Sequence, residues 1–400
     1  MSNSKVVWLI PALSRGSTGY PWHPIFQAFV KHFPNTEIFT TRWTGFAPGY
    51  EDSFSVSTVG KPLKGKLFKG ESAQEYGGGF MPLPLSIFWI LLRLQPDVII
   101  TKAFSIWSAI ALLYKRFSKV RIIIAYEGSS PGVDYATSSW RTTYRQRIAR
   151  GADAFITNTN AGKTYLTQSL GADPDSVFVR PYEIASPHLL FEGGEPKGLK
   201  TAGIQTASKP VFITVGQLIP RKGIDYLLTA CQQLKARGLN DYTVLIAGDG
   251  DQRSALEARV KAQGLDTQIK FLGWVDYSSL GYYFDAADVF VFPTLADTWG
   301  LVTLEAMAIG KPALCSKYAG SHEMVSDGKT GFVFDPKLPE TLSDVMSQFI
   351  LNPTLADELG IRAKQQVSSY TPEQVADALQ DVIEFATRPF KPAPSPLEQT

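Results

Sequence analysis

The chain has 400 residues, 44% apolar and 19% charged, with a net charge of +2. This is ordinary globular composition, long enough for two or three domains, and it excludes a disordered, collagen-like or disulfide-stapled protein. The charge is unevenly spread: residues 1–190 carry 20 Lys and Arg against 12 Asp and Glu, and residues 191–400 carry 19 against 25. The first half is therefore expected to meet something anionic, a phosphorylated acceptor or an acidic membrane surface; the plainer alternative is a solvated charged face.

In chain order, short β-branched runs alternate with amphipathic stretches, the pattern of βαβ units around parallel sheets. Strands are predicted at Val6–Ile10, Glu37–Thr40, Val98–Thr101, Arg121–Tyr126 and Ala154–Thr157, with a helix over Ser105–Arg116. Val6–Ile10 before Pro11 is too short for a signal peptide's apolar region. The apolar run from Ile87 to Leu94 is shorter than the ~18 residues of a membrane span and carries Arg93. With only Cys231 and Cys315, the expected compartment is the reducing cytoplasm, with peripheral attachment to the inner face of the membrane as an extension. Periodicity fails at Glu192–Gly198, a turn-rich linker that closes a first domain at residue 190. A second series follows: Val211–Val215, Val244–Ala247, Lys270–Leu272, Val289–Phe292, Ala313–Cys315 and Phe332–Phe334. The second domain is expected to span 191–370. Thr371-Pro372-Glu373-Gln374 then reads as a capping box with proline at the first helical position, opening a helix over 371–387. A proline-rich tail occupies 388–400.

Two segments carry the chemistry. In the first, a strand runs through Thr214-Val215 into Gly216-Gln217 and then Arg221-Lys222-Gly223. Such a loop suits a diphosphate, because a helix start offers free N–H groups and two adjacent cations offer charge-assisted bonds; a solvated turn would read the same way. In the second, the strand ending at Phe292 leads through Asp297 and Gly300 into a helix at Leu301-Val302, with Glu305 one turn inside. That places two carboxylates at the sheet's carboxyl edge, where open α/β sheets bind ligands.

These segments resemble the nucleotide-sugar-binding domain of glycosyltransferase family 4, whose two-domain α/β fold is called GT-B. The resemblance rests on Asp297, seven intervening residues and Glu305-Ala306-Met307, which match the family's Glu-x7-Glu signature. Around that signature stand Gly216–Gly223, Ala247–Gly250, Phe271–Val275, Asp288–Pro293, Gly320–Glu323 and Asp327–Gly331, in family order. It implies two Rossmann-like domains facing a cleft and transfer of a sugar from a UDP- or GDP-sugar to a hydroxyl acceptor, glycan or lipid-linked, with retention and with neither cofactor nor metal. Polysaccharide or glycolipid synthesis is the implied setting. Carried over by position, Lys222 and Arg221 would meet the diphosphate, Glu305 the ribose, Asp297 the donor sugar, and the Leu301 and Val302 amides after Gly300 the phosphates. Trp274 and Val275 would border the base, with Gly216 and Gln217 beside the donor. In the first domain, the loop after the first strand would bring Gly16 to the donor and Arg15 to the acceptor.

Three departures stand out. Asp297 replaces a glutamate, Gln217 stands where an arginine is common, and Glu127 occupies the position of the family's usual histidine. Glu127 could orient the acceptor hydroxyl or the donor sugar, but it cannot supply a neutral imidazole; a carboxylate tied to a turn is the alternative. An inactive nucleotide-sugar-binding subunit and a sugar-nucleotide epimerase remain alternative functions. The sequence offers no metal-ligand spacing for His23, His32, His188 or His322, and Asp249-Gly250-Asp251 reads as a turn. No nucleic acid is expected as a partner. The run Lys61–Lys69, followed by Gly77-Gly78-Gly79, has the composition of a loop that touches anionic lipid or of a solvated loop.

Overall fold

The computed structural model describes residues 3–13, 19–60, 86–134, 138–196 and 208–388. Arg15, Gly16, the Lys61–Lys69 run, Gly77–Gly79, Lys197-Gly198 and the tail beyond Arg388 lie outside the described residues.

Two all-parallel sheets organise the chain. The first contains β1 (Val6–Leu9), β2 (Thr36–Thr40), β3 (Ser55–Thr58), β4 (Val98–Lys102), β5 (Arg121–Tyr126), β6 (Ala154–Thr157) and β7 (Val177–Val179), in the order β3-β2-β1-β4-β5-β6-β7. The second contains β8 (Val211–Val215), β9 (Thr243–Ala247), β10 (Ile269–Gly273), β11 (Val289–Phe292), β12 (Ala313–Ser316) and β13 (Gly331–Phe334), in the order β10-β9-β8-β11-β12-β13. Each strand that the hydrophobic runs marked is present within a residue or so of its expected bounds. β3 and β7 were missed. Both are edge strands: Ser-Val-Ser-Thr has only one apolar residue and no buried position, and β7, though Val-Phe-Val is apolar throughout, is only three residues long, too short for the run of a strand buried on both faces.

Burial on both sides explains the rest. In the first sheet, Val6, Trp8, Ile100, Ile123 and Ile156 pack on one face and Val7, Leu9, Ile99 and Ile122 on the other, as the two-residue period of a strand requires. The helix Trp22–His32 covers the first face together with Pro372–Thr387, which buries Val375, Leu379, Val382 and Ile383 there although it follows the second sheet in sequence. Its capping box is complete, Gln374 N donating to Thr371 Oγ1 while Thr371 N donates to Gln374 Oε1. Helices Ser86–Leu94 and Ile106–Lys115 cover the opposite face. Around β8 the second sheet is closed in the same way, by Ile224–Ala236 and Pro339–Leu351 on one side and Leu301–Ile309 on the other.

The sheets meet carboxyl edge to carboxyl edge. Trp299 Nε1, from the second domain, donates to the Glu183 carbonyl at 2.8 Å, and Thr298 Oγ1 donates to Glu127 Oε2 at 3.1 Å. At Gly128 the backbones come so close that a Cβ would lie 2.2 Å from the Thr298 carbonyl oxygen; only glycine allows that approach. Glu323 reaches across to the amides of Asn160 and Ala161 at 2.9 and 3.3 Å.

Candidate active site

On the second-domain wall, the strand–turn–helix after β8 delivers the cations. Pro220–Lys222 forms one short turn with Pro220 at its first position, and the Arg221 carbonyl accepts from Leu295 N and Thr294 Oγ1, which pins this loop to the one leaving β11. Lys222 Nζ lies 2.7 Å from Asp297 Oδ2, Arg221 Nη1 lies 3.3 Å from the same oxygen, and Arg221 Nη1 also donates to the Ala296 carbonyl. Burial alone would raise the Asp297 carboxyl, but the two cations outweigh it and hold Asp297 below the usual carboxylate range. Asp297 itself is fixed by its N–H donating to the Tyr318 carbonyl and by Gly320 N donating to its own carbonyl.

The helix Leu301–Ile309 starts directly above this cluster. Its N-cap, Gly300, has φ of +85°, and a Cβ there would lie 2.6 Å from the Phe292 ring. Among the described residues no side chain caps this end and none accepts from the Leu301 or Val302 amides, which lie at the helix start with the positive end of the dipole. One turn on, Glu305 is buried and accepts from the Tyr277 hydroxyl at 2.8 Å. Burial pushes its carboxyl up to about 7, against the opposing hydrogen bond. Gly216 stands against the Lys222 methylenes, Gln217 is exposed, Val275 is half-buried and Trp274 lies open at the end of β10.

On the first-domain wall, Glu127 follows β5 but is not alone. Lys102, the last residue of β4, places Nζ 2.6 Å from Glu127 Oε1 and 3.0 Å from Glu183 Oε1. Burial would raise Glu127, but Lys102 and the Thr298 hydroxyl overcome it and leave the carboxyl below its ordinary range. Glu183 moves the other way: burial first, then the Glu127 charge, push it up to about 7 despite Lys102. Lys102, held between two carboxylates that outweigh its own burial, is raised.

The residues read from the sequence therefore fall into two groups facing each other, Arg221, Lys222 and Asp297 with the Gly300–Val302 helix start, and Glu127 opposite. Lys102, Glu183, Thr298 and Tyr277 were missed. Nothing in their local sequence distinguishes them; Lys102 and Glu183 are 81 residues apart and only the parallel sheet makes them neighbours. Asp249 is taken by Gly250 N at 2.8 Å and by Arg253 at 3.1 Å. Among the described residues no group of three His, Cys, Asp or Glu is placed to hold a metal ion. His23, His188 and His322 bond Gly19 O, the Tyr50 hydroxyl and Ala319 O respectively, and His32 bonds Gln380.

Residues 202–366 match the family model of glycosyl transferases group 1. The chain is 29% identical over 188 residues to an uncharacterised glycosyltransferase of Methanocaldococcus jannaschii, covering 47% of each. It is 28% identical over 217 residues to a D-inositol 3-phosphate glycosyltransferase of Arthrobacter, covering 54% of this chain and 51% of the relative. These alignments span about half the length of the curated relatives. The crystal structure of Anabaena HepE in complex with UDP superposes with a TM-score of 0.72 at 17% identity, covering 95% of this chain and 99% of the other. The open parallel sheets facing one cleft are thus a GT-B fold, and residues 202–366 carry the likeness to the glycosyl transferases group 1.

Proposed function

We propose that the protein is a retaining glycosyltransferase that moves a sugar from a nucleoside diphosphate sugar to a hydroxyl acceptor, in polysaccharide or glycolipid synthesis. The observation that carries this reading is the pairing of Arg221 and Lys222 with a helix start whose Leu301 and Val302 amides have no partner among the described residues. Two cations and two N–H groups against one carboxylate leave an excess of positive potential, which suits a diphosphate. UDP is the favoured nucleotide, because the HepE structures were obtained with UDP and with UDP-glucose.

In this reading the β-phosphate approaches Lys222 and Arg221, and Asp297, relieved of part of their charge, accepts hydrogen bonds from donor-sugar hydroxyls. Glu305 keeps one oxygen on Tyr277 and offers the other to the ribose. Trp274 and Val275 border the base. As the glycosidic bond breaks, charge builds on the departing diphosphate, where preorganised cations and amides stabilise it most. The acceptor hydroxyl enters on the same face, its proton passing to a phosphate oxygen, while Glu127, held ionised by Lys102, orients it. Closure across Thr298 and Trp299 excludes water that would otherwise hydrolyse the donor. The Gly193-Gly194 pivot and the returning helix Pro372–Thr387 would govern that closure. Attachment to an anionic bilayer would bring a lipid-linked acceptor within reach.

The test is release of nucleoside diphosphate from UDP-glucose, UDP-galactose and GDP-mannose, with and without soluble glycoside acceptors and with chelator present. Acceptor-dependent release with retained anomeric configuration in the product is expected. Acceptor-independent interconversion of the donor would favour an epimerase, and donor binding without turnover a regulatory subunit. Loss of activity on chelation, together with its loss in Asp249→Ala, would overturn the metal-independent assignment.

A further inference from the structure

The helices on the outer face of the first sheet are unusual in charge. Ser86–Leu94, Ile106–Lys115 with the turn to Arg121, and Ser139–Gly151 contain no Asp or Glu. They expose large apolar side chains in one place. Trp89 is 71% exposed, Phe117 70% and Leu113 49%, and Phe88 joins them, its ring 5.9 Å from Trp89 and 6.2 Å from Phe117. Leu92 and Phe117 line the same surface groove, of about 470 Å³.

Arg93 stands on the helix of Trp89, and Arg116 and Lys119 flank Phe117, all exposed. Among the described residues two carboxylates lie nearby and both are occupied. Asp97 accepts from Lys5 N, and Asp153 is held by Lys115 and Arg121. The opposite face of the same sheet is the reverse, for helix Pro372–Thr387 exposes Glu373, Asp377, Asp381 and Glu384.

We infer that the face formed by Trp89, Leu113 and Phe117 with Arg93, Arg116 and Lys119 docks on the surface of an anionic lipid bilayer. Apolar rings at the centre with cations at the rim match the boundary between acyl chains and charged headgroups. A second copy of the chain in a symmetric dimer would bring basic rim against basic rim. Nucleic acid would favour cations tracking the centre of the site rather than Trp, Leu and Phe there. The acidic opposite face would then turn away from the bilayer, which fixes one orientation of the domain. This inference gives a surface to the bilayer attachment named in the proposed function, and its test reads vesicle binding whether or not sugar transfer holds.

The test is co-sedimentation of the full chain with vesicles of phosphatidylcholine alone and of phosphatidylcholine mixed with phosphatidylglycerol. Binding is expected only to the anionic vesicles and should weaken with salt. Arg116→Gln and Lys119→Gln should each weaken it about fivefold. Trp89→Ser with Phe117→Ser should weaken it at least about tenfold. Thermal melting, and turnover of soluble substrates where turnover is measurable, should stay unchanged in every variant, since none of these residues lies in the cleft. Equal binding to neutral vesicles, or undiminished binding by the Trp89/Phe117 variant, would overturn the inference. So would a dimer in sedimentation velocity, or RNA binding, abolished by the same substitutions while wild type ignores vesicles.

Discussion

Two ion clusters face each other across the cleft, and they are of opposite sense. Arg221, Lys222 and Asp297 set two cations on one carboxylate, whereas Lys102, Glu127 and Glu183 set two carboxylates on one cation. The cation excess drives Asp297 down; the carboxylate excess drives Glu183 up to about 7. The second-domain wall is therefore ready for an incoming anion. The first-domain wall has no use for one, and it holds a carboxylate, Glu127, ionised beside Glu183, which retains a proton near neutrality. Such an arrangement suits hydrogen bonds to sugar hydroxyls, which both donate and accept.

The largest expected effect comes from the cation wall. Lys222→Ala should lower kcat/KM for transfer by roughly two to three orders of magnitude, about 3 to 4 kcal/mol of transition-state stabilisation. Steady-state kinetics checks it; a near-normal rate in a folded variant would remove Lys222 from the site. On the opposite wall, Lys102→Met leaves two carboxylates facing each other without their cation. Melting at neutral pH should show a loss of about 2 to 3 kcal/mol, somewhat below that for a fully buried pair because all three side chains keep some exposure. Lys102→Arg should recover most of it.

The pH dependence sharpens the contrast further. Glu183 and Glu305 both titrate near 7 when folded, above the ordinary carboxylate value. The folded state therefore binds more protons than the unfolded one between about 4.5 and about 7, and their stabilisation is full below that window and lost as pH rises through it. Glu183→Gln should flatten the decline measured by urea unfolding across that range, leaving the Glu305 part. Asp297 behaves oppositely, its contribution present above the unfolded value and lost as pH falls through the depressed one. An unchanged slope in Glu183→Gln would show that Glu183 on the first-domain wall does not hold a proton near neutrality. The smallest effect belongs to the contact that joins the walls: Trp299→Phe deletes the bond to the Glu183 carbonyl and should cost about 1 kcal/mol, with a larger change in KM for acceptor than for donor.

How much of this was legible in the sequence differs between the walls. Asp297, Gly300 and Glu305 lie within nine residues, on one strand–loop–helix unit, and Arg221-Lys222 on another. Such units place their side chains at the sheet's carboxyl edge wherever they occur. Glu127 could be singled out as a departure from a pattern, but its partners could not. Tyr277 likewise meets Glu305 across 28 residues, through a turn with no signature of its own.

The sequence by itself determined the two parallel sheets, their central strands, the capped last helix and the wall of Arg221, Lys222 and Asp297. Each is encoded in a short window, by apolar runs buried on both faces, a capping box, or a cation pair after a strand. Tertiary structure alone decided that Lys102, Glu127 and Glu183 share one cluster, since they come from three segments aligned only by sheet order. It alone brought Pro372–Thr387 back onto the first core, and it alone set Thr298 and Trp299 against the opposite domain. Tertiary structure also decided which of many basic residues share a face: charge counts along a chain carry no direction, and only the two-sided burial of the first sheet sends Arg93, Arg116 and Lys119 one way and the carboxylates of the last helix the other.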